Sequence, residues 1–463
     1  MTTEQQKFSP KHILLAVCVA QFLLPFMMAG VNAVLPPIGE DLQASARELG
    51  LISTLYALGL AVFQLTAGRM GDVWGRRRTF LWGMAIFALS GLTLGFVTDI
   101  NTLLGIRFIQ GAGGAMFNAS GLALVACTAP PALRGQYIGI GGAAVYAGLA
   151  CGPPLAGFIT GMLSWRWLFW ANGLACAVAF ILMLRVHAEW REGKGEPFDW
   201  RGSFIYGSAM AAVTIGATSL QDSQLMGWGL LGTGLIGLSL YVWTELHTAY
   251  PLLDIRLLVT NKIFGLSSLA AFINYSSFFG MLFFFSVYLQ VVRGMSVQEA
   301  GFFLAIQSAV QVFTTPWAGR MADKHGAGLI SSFGIGCCGL GLLAAAFLQV
   351  DSPLWFLAVA QILLGFGISM FAVPNTTVLL GSVDAKHLGQ AAGLTGAVRT
   401  GGGVLNMMII TMTLGFYLGH QPISAATIAP FMTSMKMDLI LFGVLNLLAV
   451  GCALGRQRVG KKI

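Results

Sequence analysis

Charge is what this chain has least of. Among 463 residues there are 26 Lys or Arg and 18 Asp or Glu, 10% together, against 56% apolar residues and a mean hydropathy of +0.77. A soluble domain carries about 25% charged residues, so this surface cannot be wetted all round and lipid is its natural solvent. The balance is positive, at +8. There is nevertheless no low-complexity run and no basic tail long enough to grip a polyanion, which argues against a nucleic-acid partner. None of the seven cysteines shows metal-ligand spacing, since the neighbours Cys337 and Cys338 would point to different faces of a helix. They read as small buried hydrophobes, and no metal or cofactor is expected. Nucleotide-binding loops and catalytic constellations are missing from the loops, so an enzyme is not expected either. A cleavable signal peptide is missing too: the first apolar run ends in Asn32 and Leu35-Pro36-Pro37, not in small residues, and reads as a first membrane span.

What the chain does have is apolar runs. A helical span takes about 20 mostly apolar residues. Fourteen such runs follow one another, near 12–34, 48–67, 79–97, 102–126, 135–162, 167–186, 203–220, 227–247, 264–291, 299–318, 328–348, 354–380, 388–418 and 434–455. The run at 388–418 is too long for one straight span and points to a kink or an extension into water. Lys and Arg accumulate on the cytoplasmic side of membranes. With the N-terminus inside, 20 of the 26 fall in inside segments and only Arg47, Arg166, Arg293 and Lys436 outside. The positive balance is therefore topology. Both termini are expected in the cytoplasm, and the protein in the cytoplasmic (inner) membrane.

Two charged stretches interrupt the grease. Residues 68–78 read GRMGDVWGRRR and residues 319–326 read GRMADKHG, 251 residues apart. With spans 7 and 8 set aside, each falls after the second span of a group of six. This organisation divides the chain into a tail (1–11), a six-helix bundle (12–190), a linker with an inserted transmembrane hairpin (191–256), a second six-helix bundle (257–456) and a tail (457–463). The fold class is an all-α membrane protein built twice, a recurring transporter plan with the site at the interface of the halves.

Here the chain resembles a known family. The 68–78 turn is similar to the loop signature of the major facilitator superfamily. RFIQGAGGAM at 107–116 resembles its fourth-helix signature, with Arg107, Gln110 and Gly111 in the marked places. GIGGAAVYAGLACGPPLAG at 139–157 resembles the fifth-helix signature associated with exporters, and VNAVLPPI, SWRWLFWANG and RTGGGVLN resemble the fourteen-span drug:proton antiporter branch. The resemblance implies proton-coupled efflux of lipophilic or amphiphilic compounds by alternating access, without a cofactor. The partners expected are a small-molecule substrate, the bilayer and protons, for a protein acting as a monomer.

It also implies roles. Gly68, Asp72, Gly75, Arg76, Arg77 and, in the second copy, Asp323 would form a latch, with Asp72 meeting the N-terminus of the span that begins near Leu388. Read without the family, these arginines only mark the inside. Gly148, Gly152, Pro153 and Gly157 would be a hinge, or on a plainer reading a site of close helix packing. Arg107 and Arg399 are the only formal charges well inside the runs. An embedded Arg costs about 2.5–3.5 kcal/mol on insertion scales, so each should face a cavity, a partner or backbone carbonyls. Spans 1, 4, 9 and 12 would line the cavity with Gln21, Met27, Asn32, Gln110, Asn118, Asn274, Tyr275, Phe278, Phe279, Met370 and Asn375. Helices 10 and 13 would add Gln307, Gln311 and Asn406. The run FFGMLFFF at 278–285 covers every helix face, so part of it is expected to meet lipid.

One piece of the branch pattern is missing. Its acidic residue in span 1 is replaced by Met27, and no Asp or Glu lies deep in any run. Glu48, Asp438 and Glu245 sit near run ends, and Asp438, with Arg107, is the candidate for proton coupling. The alternatives are a carrier of neutral or anionic amphiphiles, lipids or carboxylates, that uses a buried Arg as counter-ion, or a sensor that has kept the fold without transport.

Overall fold

The computed structural model describes residues 10–128, 134–191, 195–220, 223–248, 251–253, 255–383, 388–419 and 421–460, with no strand among them. In chain order the helices are α1 (Pro10–Ala33), α2 (Leu35–Leu42), α3 (Ala46–Trp74), α4 (Arg76–Leu94), α5 (Ile100–Thr128), α6 (Arg134–Met162) and α7 (Trp165–Leu184). Then come α8 (Trp200–Ser219), α9 (Gln224–His247), α10 (Arg256–Thr260), α11 (Lys262–Phe278), α12 (Met281–Val287) and α13 (Val297–His325). The last four are α14 (Ala327–Ala345), α15 (Leu354–Gly381), α16 (Leu388–Leu418) and α17 (Ile428–Gly460). Ten of the described helical segments are long and apolar enough to cross a membrane. Helices α4, α6, α8 and α13 fall outside that group.

The duplication is written into local structure. Helix α3 starts on a capping box in which Ser45 Oγ accepts from Glu48 N at 3.3 Å and Glu48 Oε2 accepts from Ser45 N at 2.8 Å. Helix α13 starts on the same device, Ser296 with Glu299, at 3.3 and 2.9 Å. Each box satisfies two amide donors that a helix start leaves open. Both helices run 29 residues, and both stop at a glycine of positive φ, Gly75 (123°) and Gly326 (90°). Such a backbone favours glycine because it has no Cβ. A 19-residue helix follows in each case.

Packing repeats as well. A methyl on Gly83 would sit 2.6 Å from Phe117 N and 2.7 Å from Gly113 O; on Gly334 it would sit 2.5 Å from Phe371 N and 2.7 Å from Gly367 O. Thus α4 lies on α5 as α14 lies on α15, with glycine admitting backbone to backbone in each pair. Within the first set α1 packs on α6 and α3 on α5; within the second α11 packs on α16 and α13 on α15. The two sets meet where α3 crosses α16 and α6 crosses α13. Helices α8 and α9 pair with each other; α8 lies on α3 and α16, and Tyr241 of α9 joins the cluster with Leu65 and Ala397.

The run 264–291 is not one continuous helix: it breaks at Gly280 between α11 and α12, then tightens into a π-helical turn at Tyr288–Val292. At the break, Asn406 and Ile410 of α16 occupy the space a Cβ would need. Of the aromatic run, Phe278 and Phe279 before the break are half-buried. Phe283, Phe284 and Phe285 are all fully buried, because α12 is enclosed by α1, α2 and α13. The long run 388–418, by contrast, is one helix of 31 residues. The end of the bundle carrying Arg69, Arg76, Arg77 and Arg78 is the basic end; the end carrying α2 is the far end.

Candidate substrate cavity, latch and seam

The seam between the two halves is held at its far end. Ser286 Oγ and Gln290 Nε2 both donate to Ala33 O, at 3.0 and 2.7 Å. The Thr54 and Thr411 hydroxyls lie 2.9 Å apart, and Thr54 also donates to Met407 O at 3.2 Å. Ala46 N donates to Gln421 O at 3.1 Å, and Ser308 Oγ to Leu149 O at 3.2 Å. Every cross-half hydrogen bond between described residues lies from mid-helix toward this end.

The glycine-proline stretch of α6 is wedged into the same seam. Gly148 meets Phe22 O of α1 with no room for a Cβ, and a methyl on Gly152 would lie 3.0 Å from Ala29 Cβ. A methyl on Gly157 would lie 2.5 Å from Val297 O, and one on Gly301 2.5 Å from Pro153 O. The expected hinge residues therefore hold α6 against α1 on one side and against α13 of the other half on the other.

Arg107 is placed deep in the first half at 1% exposure. Its guanidinium lies 4.1 Å from the Tyr56 ring centroid and 6.0 Å from that of Phe169. It donates to Gln110 Oε1 at 2.6 Å and to Ile52 O at 3.4 Å. No carboxylate pairs with it among the described residues. Gln110 Nε2 and Gln21 Nε2 are both buried without a partner. Asn32 accepts from Ser53 Oγ and so ties α1 to α3. Asn118 donates to Gln64 Oε1 at 3.4 Å. Met27 sits in the apolar core.

In the second half Asn274 Nδ2 donates to Asn446 Oδ1 at 2.7 Å, joining α11 to α17. Asn406 Nδ2 donates to Ser276 O at 2.7 Å, and Asn375 Nδ2 to Ser267 O at 3.4 Å. Tyr275 packs between Phe279 and Phe371, each centroid 5.8 Å away, and Phe278 lies edge-on to Phe279. Gln307 and Gln311 are buried on α13, while Met370 packs with Ala318 and Ile330. Arg399 is exposed on α16.

The residues missed by sequence reasoning are neutral ones. Gly111 packs against Tyr56 O, and Gly365 against Gln307 O, so Gln361, four residues before Gly365, stands where Arg107 stands in the first half. Gln361 is fully buried with neither amide atom partnered. Superposing the halves at the 251-residue offset would have flagged Tyr56 through Gln307. Gln361 itself lies inside an apolar run and gives no local signal.

At the basic end the expected latch loop is held by the linker that follows α7. Arg76 donates to Asp72 Oδ1 at 3.1 and 3.3 Å and to Cys127 Sγ at 2.8 Å. The Glu189 carboxylate accepts from Arg77 N at 2.8 Å and Arg78 N at 3.2 Å, sitting on the start of α4 where open amides favour an anion. Arg76 N donates to Trp190 O at 3.0 Å, and Arg69 pairs with Glu196 at 2.7 Å. Trp74 packs on Phe198 and Trp200, at 5.3 and 5.6 Å. At Gly75 the Glu189 carboxyl leaves no room for a side chain, whereas Gly68 faces open space. The Asp323 side chain, and the side chains at the start of α16 that Asp72 was expected to meet, lie outside the described residues. Asp438 is buried between α16 and α17, its Oδ2 accepting from Thr413 Oγ1 at 2.6 Å.

Residues 17–407 match the model of the family described as the Major Facilitator Superfamily. The chain belongs to that superfamily. Among its relatives, multidrug resistance protein Stp of Mycobacterium tuberculosis is 28% identical over 96% of this chain and 82% of its own length. The tetracenomycin C resistance and export protein of Streptomyces glaucescens is 29% identical over 89% and 77%, and the riboflavin transporter RibZ of Clostridioides difficile 25% over 84% of each. Among solved structures, a POT family transporter in complex with 5-aminolevulinic acid superposes with a TM-score of 0.71 at 12% identity, covering 94% of both chains. The xylose transporter XylE from E. coli, partially occluded and inward open, gives 0.64 at 14%, covering 95% and 97%. At such identities the likeness is one of fold. This superfamily's members, and so this chain, are multi-pass membrane proteins that carry small molecules through a bilayer.

Proposed function

We propose that this protein exports lipophilic or amphiphilic compounds by alternating access, driven by protons. The observation that carries the reading is the seam: two halves of matching internal construction, joined between described residues by hydrogen bonds from mid-helix to one end. Breaking that far seal while the basic end closes is the switch. Exposure of Arg399 on the basic side of the seal supports a water-filled vestibule there, and the names of the drug-resistance relatives support the substrate class. Fourteen spans, with α8 and α9 as an inserted hairpin between bundles 12–190 and 257–456, fit the charge distribution. So do cytoplasmic termini and an inner-membrane location, and the unit is taken to be the monomer.

In this reading Gly148, Gly152, Pro153 and Gly157 are the hinge, and the 68–78 turn is the latch. Asp438 is the proton-exchanging carboxyl. Its partner Thr413 lies two residues from the seam residue Thr411, which at 3.6 residues per turn places it on the other side of α16. A proton there acts on the seam helix from behind.

Everted membrane vesicles with an imposed pH gradient provide the test, using one lipophilic cation and one amphiphilic anion. Accumulation of the cation that vanishes when the gradient is collapsed, and in Asp438→Asn, is the expected result. Export indifferent to the gradient sinks proton coupling. A second reading is favoured by one observation, that Arg107 is buried with no carboxylate paired to it among the described residues: a carrier of anionic amphiphiles with Arg107 as counter-ion. Anion flux that survives Arg107→Ala removes it.

A further inference from the structure

Helices α8 and α9 carry a buried acid that the transport cycle proposed above does not use. Glu245 lies near the end of α9 and is 2% exposed. Its Oε2 accepts from Leu253 N at 3.2 Å, while Oε1 is buried with no hydrogen-bond partner. Tyr241, one turn earlier, faces the same carboxyl. Its ring packs on Tyr206 at 5.1 Å, and its buried hydroxyl is the neutral donor that faces the Glu245 carboxyl. Asp199 closes the third side. It caps α8 through Oδ1, which accepts from Gly202 N at 2.8 Å. A methyl on Gly202 would touch Asp199 Oδ2 and lie 2.8 Å from Glu245 Oε1, so one glycine separates the two carboxyls.

The groups around Glu245 are few. Helix α8 brings Asp199 and Tyr206, α9 brings Tyr241, and the connection to α10 brings the backbone of Leu252 and Leu253. The adjoining apolar cluster adds Leu65 from α3 and Ala397 from α16. No Lys or Arg is among these described residues. A buried carboxylate oxygen with no donor is costly, and a second ionised carboxylate beside it adds repulsion. One proton removes one of the two facing charges. A metal ion would ask for about six oxygens, and no group of three or more His, Cys, Asp or Glu that could hold one occurs among the described residues.

We propose that Glu245 and Asp199 form a proton-binding carboxyl pair at the joint where α8 and α9 meet α3 and α16. Glu245 Oε1 carries the proton and donates it toward Asp199 Oδ2. The proton enters from water at the partly exposed Asp199 and leaves by the same route; only an O–H bond forms and breaks. With the proton bound, the joint is packed by Tyr206, Tyr241, Leu65 and Ala397 around a single charge. Without it, two charges face each other inside that cluster and the hairpin loosens from both halves.

Infrared spectroscopy of the purified full chain in lipid nanodiscs tests this. The protonated-carboxyl stretch is followed as pH is stepped upward, in wild type, Glu245→Gln, Asp199→Asn and Asp438→Asn. A component present at neutral pH should vanish in Glu245→Gln, shift in frequency in Asp199→Asn and persist in Asp438→Asn. Thermal unfolding reads the same site independently. A proton held more tightly by the folded state gives stability that is lost as pH rises, so wild type should melt earlier as that component disappears and Glu245→Gln should not. Identical spectra for wild type and Glu245→Gln overturn the proposal, as does displacement of the component by sodium chloride at fixed pH. If Glu245→Gln does not fold, Gly202→Ala puts a methyl between the carboxyls, and an unchanged band is equally fatal. Neither readout uses transport, so failure here leaves the export reading standing.

Discussion

Arg107 is a cation enclosed with no anion among the described residues, and three neutral neighbours make that tolerable. The Tyr56 face at 4.1 Å, Gln110 at 2.6 Å and Ile52 O at 3.4 Å replace water's hydrogen bonds and part of its polarity. A desolvated cation–π contact is worth about 2 kcal/mol. Because Gln361 fills the matching place in the second half, a neutral amide fits this kind of niche. Arg107→Gln should therefore fold, while Arg107→Ala, which strands the buried Gln110 Oε1, should lose about 1–3 kcal/mol. Thermal unfolding in detergent compares the two; equal losses would mean that volume, not polarity, sets the site. Arg107 and Gln110 were legible because a charge and an amide stand out in an apolar run. Tyr56 was not, since an aromatic there looks like any other core residue. Arg399 stood out equally well and is exposed, but a lone charge in an apolar run does not say what it faces.

Among the elements, the linker after α7 has the clearest work. Glu189 sits on the first amides of α4, and Trp190, Glu196 and Phe198 continue the attachment along the turn. A partly buried anion at a helix N-terminus contributes up to about 2 kcal/mol. Glu189→Gln should release the strap, seen as faster proteolysis between residues 185 and 199; unchanged cleavage would show that the backbone and ring contacts suffice. The turn itself was legible from its charges, but the linker's acids carried no sign of their partner. The hinge can be tested by bulk. Gly157→Ala forces a methyl to within 2.5 Å of Val297 O, and overpacking costs about 1–3 kcal/mol, about five- to 150-fold off the sealed state. Thiol labelling of Gln298→Cys from the far side should rise accordingly. Labelling that stays at the wild-type rate removes Gly157 from the seam.

At the scale of the molecule, the sequence shows the duplication through one charged frame, and the structure extends it to paired capping boxes, paired positive-φ glycines and matching glycine seats. What it could not show is which faces meet. The seam is built from Thr54, Thr411, Ser286 and Gln290, small polar residues common in membrane helices for local reasons, each able to bond a carbonyl one turn back on its own helix. Only the fold makes them partners. If alternating access works by parting this seam, pinning it must stop the cycle. The Thr54 and Thr411 hydroxyls are 2.9 Å apart, close enough for sulfurs in their place to bond after small rotamer changes. In a background without the seven native cysteines, Thr54→Cys with Thr411→Cys should export normally when reduced. It should lose nearly all export when oxidised and recover it with reductant. Each single variant should be indifferent to oxidant, which separates the lock from damage. Full export by the oxidised, cross-linked protein would mean that α3 and α16 move as one body, and that the halves part somewhere else.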